Sequence, residues 1–198
     1  MLNSKQLQPL IRGPLNEDNI QQIGIDLNLI KVERLNTIDV RMYEDNEDSS
    51  ITFLPWENAG FIPYNGKTIL CARTEVPLET VIAPDNQQIP TDKIKVWRLN
   101  PGVYDITFAQ GVAVPANLAM FIRQRSSMLR NGALLHSSVF DPGFETDNIG
   151  TILHVRENIV IEYNARIAQI YAHVCEPVSE DKLYSGQWQG DKQRSEQA

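Results

Sequence analysis

Short apolar runs rich in β-branched and aromatic residues recur along this chain, and they constrain its fold more than any other feature. Examples are GVYDITFA, NLAMFIRQ and RIAQIYAHVCEP, and Pro or Gly punctuates such runs at intervals of about ten residues. No helical pattern of about 10–15 residues separates them, which argues against strand–helix–strand units. The sequence therefore predicts an all-β fold, either a sandwich or a barrel.

The first segment of the chain differs from this strand pattern. LNSKQLQPLIRG predicts a short amphipathic N-terminal helix, with Ser4 as its N-cap and Gly13 as the residue that stops it. The apolar side of this helix consists of Leu7, Leu10 and Ile11. The next segment, GIDLNLIKVERL, alternates apolar and polar residues as a strand does.

The last segment, residues 179–198, is polar and has no apolar periodicity, so we expect a flexible tail after one domain at residues 1–178. The tail nevertheless contains Tyr184 and Trp188. Aromatic residues in such a tail indicate either a flap that orders over a ligand or a segment that docks on a neighbouring subunit. The charged stretch EDNEDSS, at 44–50, is interpreted as a solvated insertion.

The charge balance argues against nucleic acid as a partner. The 198 residues carry a formal net charge of -7, whereas a nucleic-acid backbone calls for a basic face. No segment approaches the ~20 apolar residues needed to span a bilayer, and the N-terminus lacks a signal-peptide pattern. We therefore expect a cytoplasmic protein with no membrane partner, in which Cys71 and Cys175 are buried free thiols rather than one disulfide.

A local basic cluster stands out against this acidic background. RQRSSMLRNG, residues 123–132, contains three arginines and two serines. Guanidinium groups match phosphate oxygens, and serine hydroxyls with nearby backbone N–H groups can complete such a site. On a helical turn, Ser126 and Arg130 would share a face. The stretch is interpreted either as a polyphosphate site or as an exposed basic turn with incidental serines.

Two further stretches carry polar residues in apolar surroundings. In HSSVFDPGFE, Asp141 precedes Pro-Gly, where it either caps a tight turn or orients a water as a general base. Phe144 either belongs to the core or stacks under a sugar. In YNARIAQIY, Arg166 and Gln169 interrupt an apolar strand, and outward-facing side chains are the default interpretation.

The order of five stretches resembles the five motifs of the dUTPase and dCTP deaminase superfamily: GIDLNL, RSSMLRNG, DPGF, NARIAQ and YSGQWQG. The likeness runs from the N-terminal helix to the tail. It is closest to the dCTP deaminase-like branch, where Arg-Ser-Ser is followed by Leu and Arg. The resemblance implies a distorted β-barrel of jelly-roll character that forms a homotrimer, with active sites at subunit interfaces and Mg²⁺ as cofactor.

The resemblance also implies roles for individual residues. The phosphates of a deoxyribonucleoside triphosphate would be bound by Arg125, Ser126, Ser127, Arg130 and Gln169. Asp26 would reach Mg²⁺ through water, Asp141 would position the attacking water, and Phe144 would pack under the deoxyribose. The tail would close over the nucleotide with Tyr184, Trp188 and Gln189. Gln187 stands where many relatives have a lysine that contacts phosphate. Lys182 and Lys192 are the candidates to replace that contact.

The choice of reaction depends on a missing carboxylate. The deaminases that this chain resembles carry a glutamate about ten residues past the aspartate and an arginine shortly before it. Here Thr151 lies at that distance from Asp141, the next carboxylate is Glu157, and HSSVFD contains no arginine. This favours hydrolysis of dUTP to dUMP and pyrophosphate. dCTP deamination, a bifunctional deaminase-diphosphatase, a dCTP pyrophosphatase and a nucleotide-binding regulator remain the alternatives.

His136 has two interpretations. It either contacts the substrate or is a structural histidine at a strand end. His154 and His173 form no ligand pattern with it, so a catalytic zinc site is not expected. We expect the base to be read by backbone groups of LLHSSV, residues 134–139, rather than by side chains.

Overall fold

The computed structural model describes residues 1–35, 70–82 and 93–190. Two α-helices lie in these ranges, α1 (Ser4–Leu7) and α2 (Ser126–Arg130). The strands in the same ranges are β1 (Ile11–Arg12), β2 (Ile25–Leu35), β3 (Arg73–Glu75), β4 (Glu79–Ile82), β5 (Lys93–Leu99), β6 (Gly102–Phe108), β7 (Gly111–Ala113), β8 (Leu118–Gln124), β9 (Ala133–His136), β10 (Val139–Phe140), β11 (Glu145–Thr146), β12 (Gly150–Val155), β13 (Ile159–Glu162) and β14 (Arg166–Val174).

The strands form one large curled sheet and two small ones. The large sheet has the order β10-β8-β14-β2-β6-β12-β9, with β3 paired to β2. The small sheets have the orders β1-β7-β11 and β13-β5-β4. The pairings within the described ranges are antiparallel. The prediction of an all-β, barrel-like fold with a short N-terminal helix is confirmed.

One continuous core fills the inside of this half-barrel. It is built from apolar side chains that face inward along β2, β6, β8, β12 and β14. The bulkiest fully buried members include Trp97, Phe108, Leu27, Leu29, Ile106, Met120, Ile122 and Leu153. Because long strands of this core end in the candidate site residues, packing fixes where those residues emerge.

The N-terminal helix is shorter than predicted, and its cap is a different residue. Asn3, not Ser4, is the N-cap: its side chain accepts from the Gln6 amide at 3.1 Å. After one turn, the chain tightens into a 3₁₀ helix at Gln8–Leu10 and then enters β1, so Ile11 is a strand residue. Pro9, which has no N–H to donate, accounts for the early end of the α-helix.

The remaining sequence expectations concern the thiols, membrane-spanning helices and two polar segments. Cys71 and Cys175 are free thiols as predicted, but both are half-buried rather than buried. No helix within the described residues is long and apolar enough to cross a membrane. The stretch at 44–50 and Lys192 lie outside the described residues.

Candidate active site

A buried carboxylate, Asp26, lies at the meeting point of β2, β14 and the end of β8. The register pairs Asp26 with Gln169, and Gln169 Nε2 donates to Asp26 Oδ1 at 3.4 Å. Nη1 of Arg125 lies 3.4 Å and Nη1 of Arg166 3.7 Å from Asp26 Oδ2. Arg166 and Gln169 therefore both contact Asp26, so these two side chains of β14 are partnered and half-buried rather than simply solvated. We call these four residues the guanidinium cluster.

The electrostatics of the guanidinium cluster are set by burial. Asp26 is 1% exposed. Burial raises the pKa of its carboxyl above the ordinary value, while the Arg125 and Arg166 guanidiniums and the Gln169 amide oppose that rise. Asp26 Oδ2 has no hydrogen-bond partner among the described residues. The cluster thus contains one buried acceptor atom, Asp26 Oδ2, that lies beside two guanidinium groups and accepts no hydrogen bond from the described residues.

Arg125 is held by the backbone as well as by its charge. Its amide donates to Ile167 O at 2.9 Å, and its Nη1 donates to Arg166 O at 3.1 Å. The helical turn predicted to start at Ser126 is present as α2, and Arg125 occupies its N-cap position. Ser126, Ser127 and Arg130 are exposed. Two hydroxyls and a second guanidinium are therefore open to a ligand next to Arg125.

Gly24 keeps the entry to β2 close to Gln169. A Cβ at Gly24 would come within 2.6 Å of Ile170 O and 2.7 Å of Gln169 Cγ. Backbone approaches this close permit only glycine. Because Gly24 has no side chain, the Gln169 side chain can lie against the entry to β2, where its amide reaches Asp26.

A second candidate region is a cavity of about 490 Å³ on another part of the barrel. Asp141 and Phe144 line it, together with the tail residues Tyr184 and Trp188. Phe144 stacks on Phe140 with ring centroids 5.5 Å apart, and the Tyr184 ring meets the Phe144 edge at 5.3 Å. An aromatic floor beside an exposed carboxylate is a surface on which a sugar or base can lie. We call this region the aromatic cavity.

Asp141 is carried by a tight turn. The Phe144 amide donates to Asp141 O at 3.0 Å, and Gly143 has a φ of 88°. The left-handed Gly at the third position meets the requirement of a type II turn, and Pro at the second position is favoured there. A Cβ at Gly143 would also lie 2.8 Å from Leu183 Cβ, so the turn and the tail are packed against each other.

The tail, as far as Gly190, packs on this turn of its own chain. The Tyr184 amide donates to Pro142 O and Gln189 Nε2 to Gly143 O, both at 2.9 Å. Gln189 Oε1 accepts from the Glu145 amide at 3.2 Å. These contacts hold the aromatic side chains of the tail over the aromatic cavity.

The guanidinium cluster and Asp141 lie at opposite ends of β8. Val139 pairs with Phe121 and Phe140 with Met120, which places Asp141 level with Ala119. Ala119 precedes Arg125 by six positions (125 − 119), or about 20 Å along a strand. One chain therefore does not bring Asp141 to Arg125.

The strand that would carry a deaminase glutamate has none. β12 contributes Gly150, Thr151 and Ile152 to the aromatic cavity. Thr151 Oγ1 donates to His136 O, which occupies that carbonyl at the end of β9. Glu157 lies away from the cavity, where its Cγ is 3.6 Å from a Cβ built on Gly132.

His136 is exposed, and its neighbour is another histidine. Its ring stacks on that of His154 with centroids 6.3 Å apart. His136 is absent from the described lining of the aromatic cavity, whereas Ser138 and Val139 contribute to it. The segment at 134–139 thus reaches the cavity at its C-terminal end.

Sequence reasoning missed a buried amide network under the guanidinium cluster. Asn19 Nδ2 donates to Asp26 O at 2.7 Å, and Gln110 Nε2 donates to Asn28 Oδ1 at 2.9 Å. Gln110 Oε1 also accepts from the Asn28 amide at 2.8 Å. The sequence cue for this network is the pair of polar residues that alternate with apolar ones in GIDLNL. The second of them, Asn28, is 5% exposed and so is buried, although alternation alone predicts that it faces water.

Comparison with known proteins agrees with this fold and these motifs. A family profile of dCTP deaminase-like proteins matches residues 74–173. A deoxyuridine 5'-triphosphate nucleotidohydrolase of Methanocaldococcus jannaschii is 30% identical over 176 residues, covering 89% of this chain and 90% of that protein. A probable deoxyuridine 5'-triphosphate nucleotidohydrolase of Halobacterium salinarum is 28% identical over 90% of this chain and 88% of its own length.

Among solved structures, a 2'-deoxycytidine 5'-triphosphate deaminase from Agrobacterium tumefaciens superposes with a TM-score of 0.57 at 14% identity. The match covers 87% of this chain and 48% of the deaminase chain, so this chain spans about half the length of that protein. The likeness concerns the fold alone. The protein belongs to the dCTP deaminase-like family, as the motifs predict.

Proposed function

We propose that this protein hydrolyses dUTP to dUMP and pyrophosphate. Relatives named deoxyuridine 5'-triphosphate nucleotidohydrolase match about nine-tenths of the chain, which supports this reaction. One structural observation favours hydrolysis over deamination: β12 supplies glycine, threonine and isoleucine to the aromatic cavity, and Glu157 lies beside Gly132 instead. Hydrolysis needs no proton shuttle beside the base, whereas deamination does.

The active unit is a homotrimer in which each site combines two copies of the chain. The separation of about 20 Å between Asp141 and Arg125 within one chain supports this arrangement. One copy supplies the aromatic cavity with Asp141, and a neighbour supplies the guanidinium cluster. A heterologous, closed interface of this kind repeats the same joint site around the ring.

In this joint site the phosphates are bound by the basic turn. Guanidiniums and hydroxyls match phosphate oxygens and gather negative charge as it develops. The residues that serve this role are Arg125, Ser126, Ser127, Arg130 and Gln169. The exposure of the α2 side chains supports the assignment, because they are open to a ligand.

Asp141 acts as the general base. Its carboxylate accepts a proton from a water, the water oxygen bonds to the α-phosphorus, and the bond to the bridging oxygen breaks so that pyrophosphate leaves. Asp141 is exposed at the edge of the aromatic cavity, where water can reach it. Phe144 packs under the deoxyribose and leaves no room for a 2′-hydroxyl.

The residues present fit a Mg²⁺ ion that is bound through water. The described residues contain no group of three or more His, Cys, Asp or Glu that could cage a metal, which suits an ion that keeps its waters and uses substrate phosphates. Asp26 Oδ2, buried and unpartnered among the described residues, can accept from such a water. When bound, Mg²⁺ would neutralise charge on the phosphate chain.

The tail, residues 179–198, closes over the bound nucleotide, and residues 1–178 form the barrel domain beneath it. Tyr184, Trp188 and Gln189 contribute to this closure, supported by their position on the turn that carries Asp141. Backbone groups of residues 134–139 read one edge of the base. His136 borders this segment without lining the cavity, and its side chain is not needed for base preference.

The test is incubation of the purified protein with dUTP or dCTP and Mg²⁺, followed by chromatography of the nucleotides and an ammonia assay. We expect dUMP and pyrophosphate from dUTP, and no ammonia from dCTP. Release of ammonia from dCTP would identify a deaminase. Formation of dCMP from dCTP faster than dUMP from dUTP would identify a dCTP pyrophosphatase. If neither nucleotide changes, the protein would be a nucleotide-binding regulator rather than an enzyme.

A further inference from the structure

The aromatic cavity contains a buried ion pair that the proposed chemistry does not use. Arg73 Nη1 donates to Asp105 Oδ2, and the two side chains are 18% and 8% exposed. Both line the same cavity as Asp141 and Phe144. Asp105 is the polar partner of Arg73 that is seen within the described residues, and this contact uses one of the five N–H donors of the guanidinium group.

The charge of the cavity indicates which part of a nucleotide enters it. The charged side chains in its described lining are Arg73, Asp105 and Asp141, which sum to −1 (+1 − 1 − 1). Arg73 and Asp105 pair with each other, so this described wall offers no excess positive charge for a triphosphate and suits an uncharged base and sugar better. The cavity volume of about 490 Å³ also lies in the range of small-molecule sites.

We propose that the Arg73–Asp105 pair contacts the pyrimidine alongside the backbone groups of residues 134–139, and that the pair supplies the selection of uracil over cytosine. This inference rests on the proposed function. The pair offers several donors from Arg73 and an acceptor, Asp105, that Arg73 already engages. Uracil presents two carbonyl acceptors and one N–H, which suits a donor-rich wall. Cytosine replaces one carbonyl with an amino group, whose two N–H donors would face the guanidinium.

The discriminating variant is Arg73→Met, which keeps an unbranched stem as far as the position of Nε and removes the N–H donors. We expect the ratio of kcat/KM for dUTP to that for dCTP to fall by about 10-fold or more, because a site built to hydrogen-bond a ligand group discriminates through that bond. The loss should appear as a higher KM for dUTP, with weaker binding of α,β-imido-dUTP in calorimetry. A purely structural ion pair would change stability without moving this ratio.

Two further variants keep the test decisive. Arg73→Lys retains the charge opposite Asp105 but replaces the planar fork by one ammonium, and it decides the matter if Arg73→Met does not fold. Arg98→Met is the matched control, because Arg98 pairs with Glu79 on the exposed surface, at 57% and 48% side-chain exposure. The control should leave the dUTP-to-dCTP ratio unchanged.

The outcomes separate this inference from the proposed function. A wild-type protein that does not hydrolyse dUTP would refute the function itself. A wild-type protein that hydrolyses dUTP, with Arg73→Met and Arg73→Lys both keeping the wild-type ratio, would overturn the role of the ion pair alone. A reduced ratio in the Arg73 variants, with Arg98→Met unchanged, supports the inference.

Discussion

Asp26 and Asp141 are both motif aspartates, yet they occupy opposite surroundings. Asp26 is 1% exposed on a central strand, with two guanidiniums and an amide against it. Asp141 is exposed on a turn at the mouth of a cavity, where tail residues pack on the next residues of the chain. The first carboxylate is fixed by strand register, and the second by a turn and a docked tail.

This contrast assigns different work to the two carboxylates. Asp26 is buried away from bulk water, and its carboxylate holds the two guanidiniums in place. An exposed acid beside a cavity can take a proton from a water. The guanidinium cluster is therefore fixed by strand packing, whereas the position of Asp141 depends on a turn and on the tail residues that pack against it.

The largest expected effect comes from Asp141→Asn. Loss of the proposed base should lower the rate of pyrophosphate release by about 10²–10⁴-fold while leaving the binding of α,β-imido-dUTP intact. Asp147→Asn is the matched control, since that carboxylate lies on the following loop with 75% side-chain exposure. Full hydrolytic rate in Asp141→Asn would remove Asp141 from the chemistry.

A mixing experiment tests whether the two regions meet across subunits. Arg125→Met and Asp141→Asn proteins should each be inactive, but refolding them together in equal amounts should restore about a quarter of the wild-type activity, because a quarter of the joint sites receive both intact halves. Enzyme assays before and after mixing measure this gain. Mixed protein as inactive as its components would show that both groups must act from one chain.

Substitution of Gly143 tests how tightly the turn and the tail are joined. Gly143→Ala should lower the free energy of unfolding by about 1–2 kcal/mol, because a left-handed alanine is strained and its Cβ would meet Leu183. Urea unfolding measures the loss. Gly190→Ala is the control, since Gly190 also has a positive φ, of 68°, but nothing within 4 Å of its Cβ. Equal losses would indicate strain alone, with no contribution from the tail contact.

The smallest effect is the pH dependence that Asp26 imparts. Burial raises the pKa of its carboxyl, so its contribution to stability is complete below about pH 3.9 and is lost as pH rises through the raised pKa. The unfolding free energy of the wild type, relative to Asp26→Asn, should therefore fall across that window in a pH series of urea titrations. A relative stability that rises with pH would mean that the guanidiniums outweigh burial.

The sequence predicted the pieces of this molecule better than their arrangement. The barrel follows from apolar runs and turn residues, and α2 follows from RSSMLR. The N-cap was misassigned, although Asn3 and Gln6 stand at capping-box spacing. Arg73 and Asp105 are 32 residues apart in the chain, and their contact depends on the order β3-β2-β6, which local patterns do not contain.

The separation of the two regions within one chain also depends on strand register. RSSMLRNG and DPGF are close in sequence, and only the family resemblance, which implies sites at subunit interfaces, indicates that they act from different copies. The pairing of β10 with β8 carries Asp141 back toward the start of β8. Register of this kind depends on tertiary packing of both strands, which a single sequence does not display.

The six positions between Ala119, which lies level with Asp141, and Arg125 set the distance between the two regions along β8. In the proposed trimer, this distance leaves each isolated chain with half of a catalytic centre. Turnover per mole of protein then depends on how concentrated the protein is, and specific activity should fall upon dilution once the copies separate.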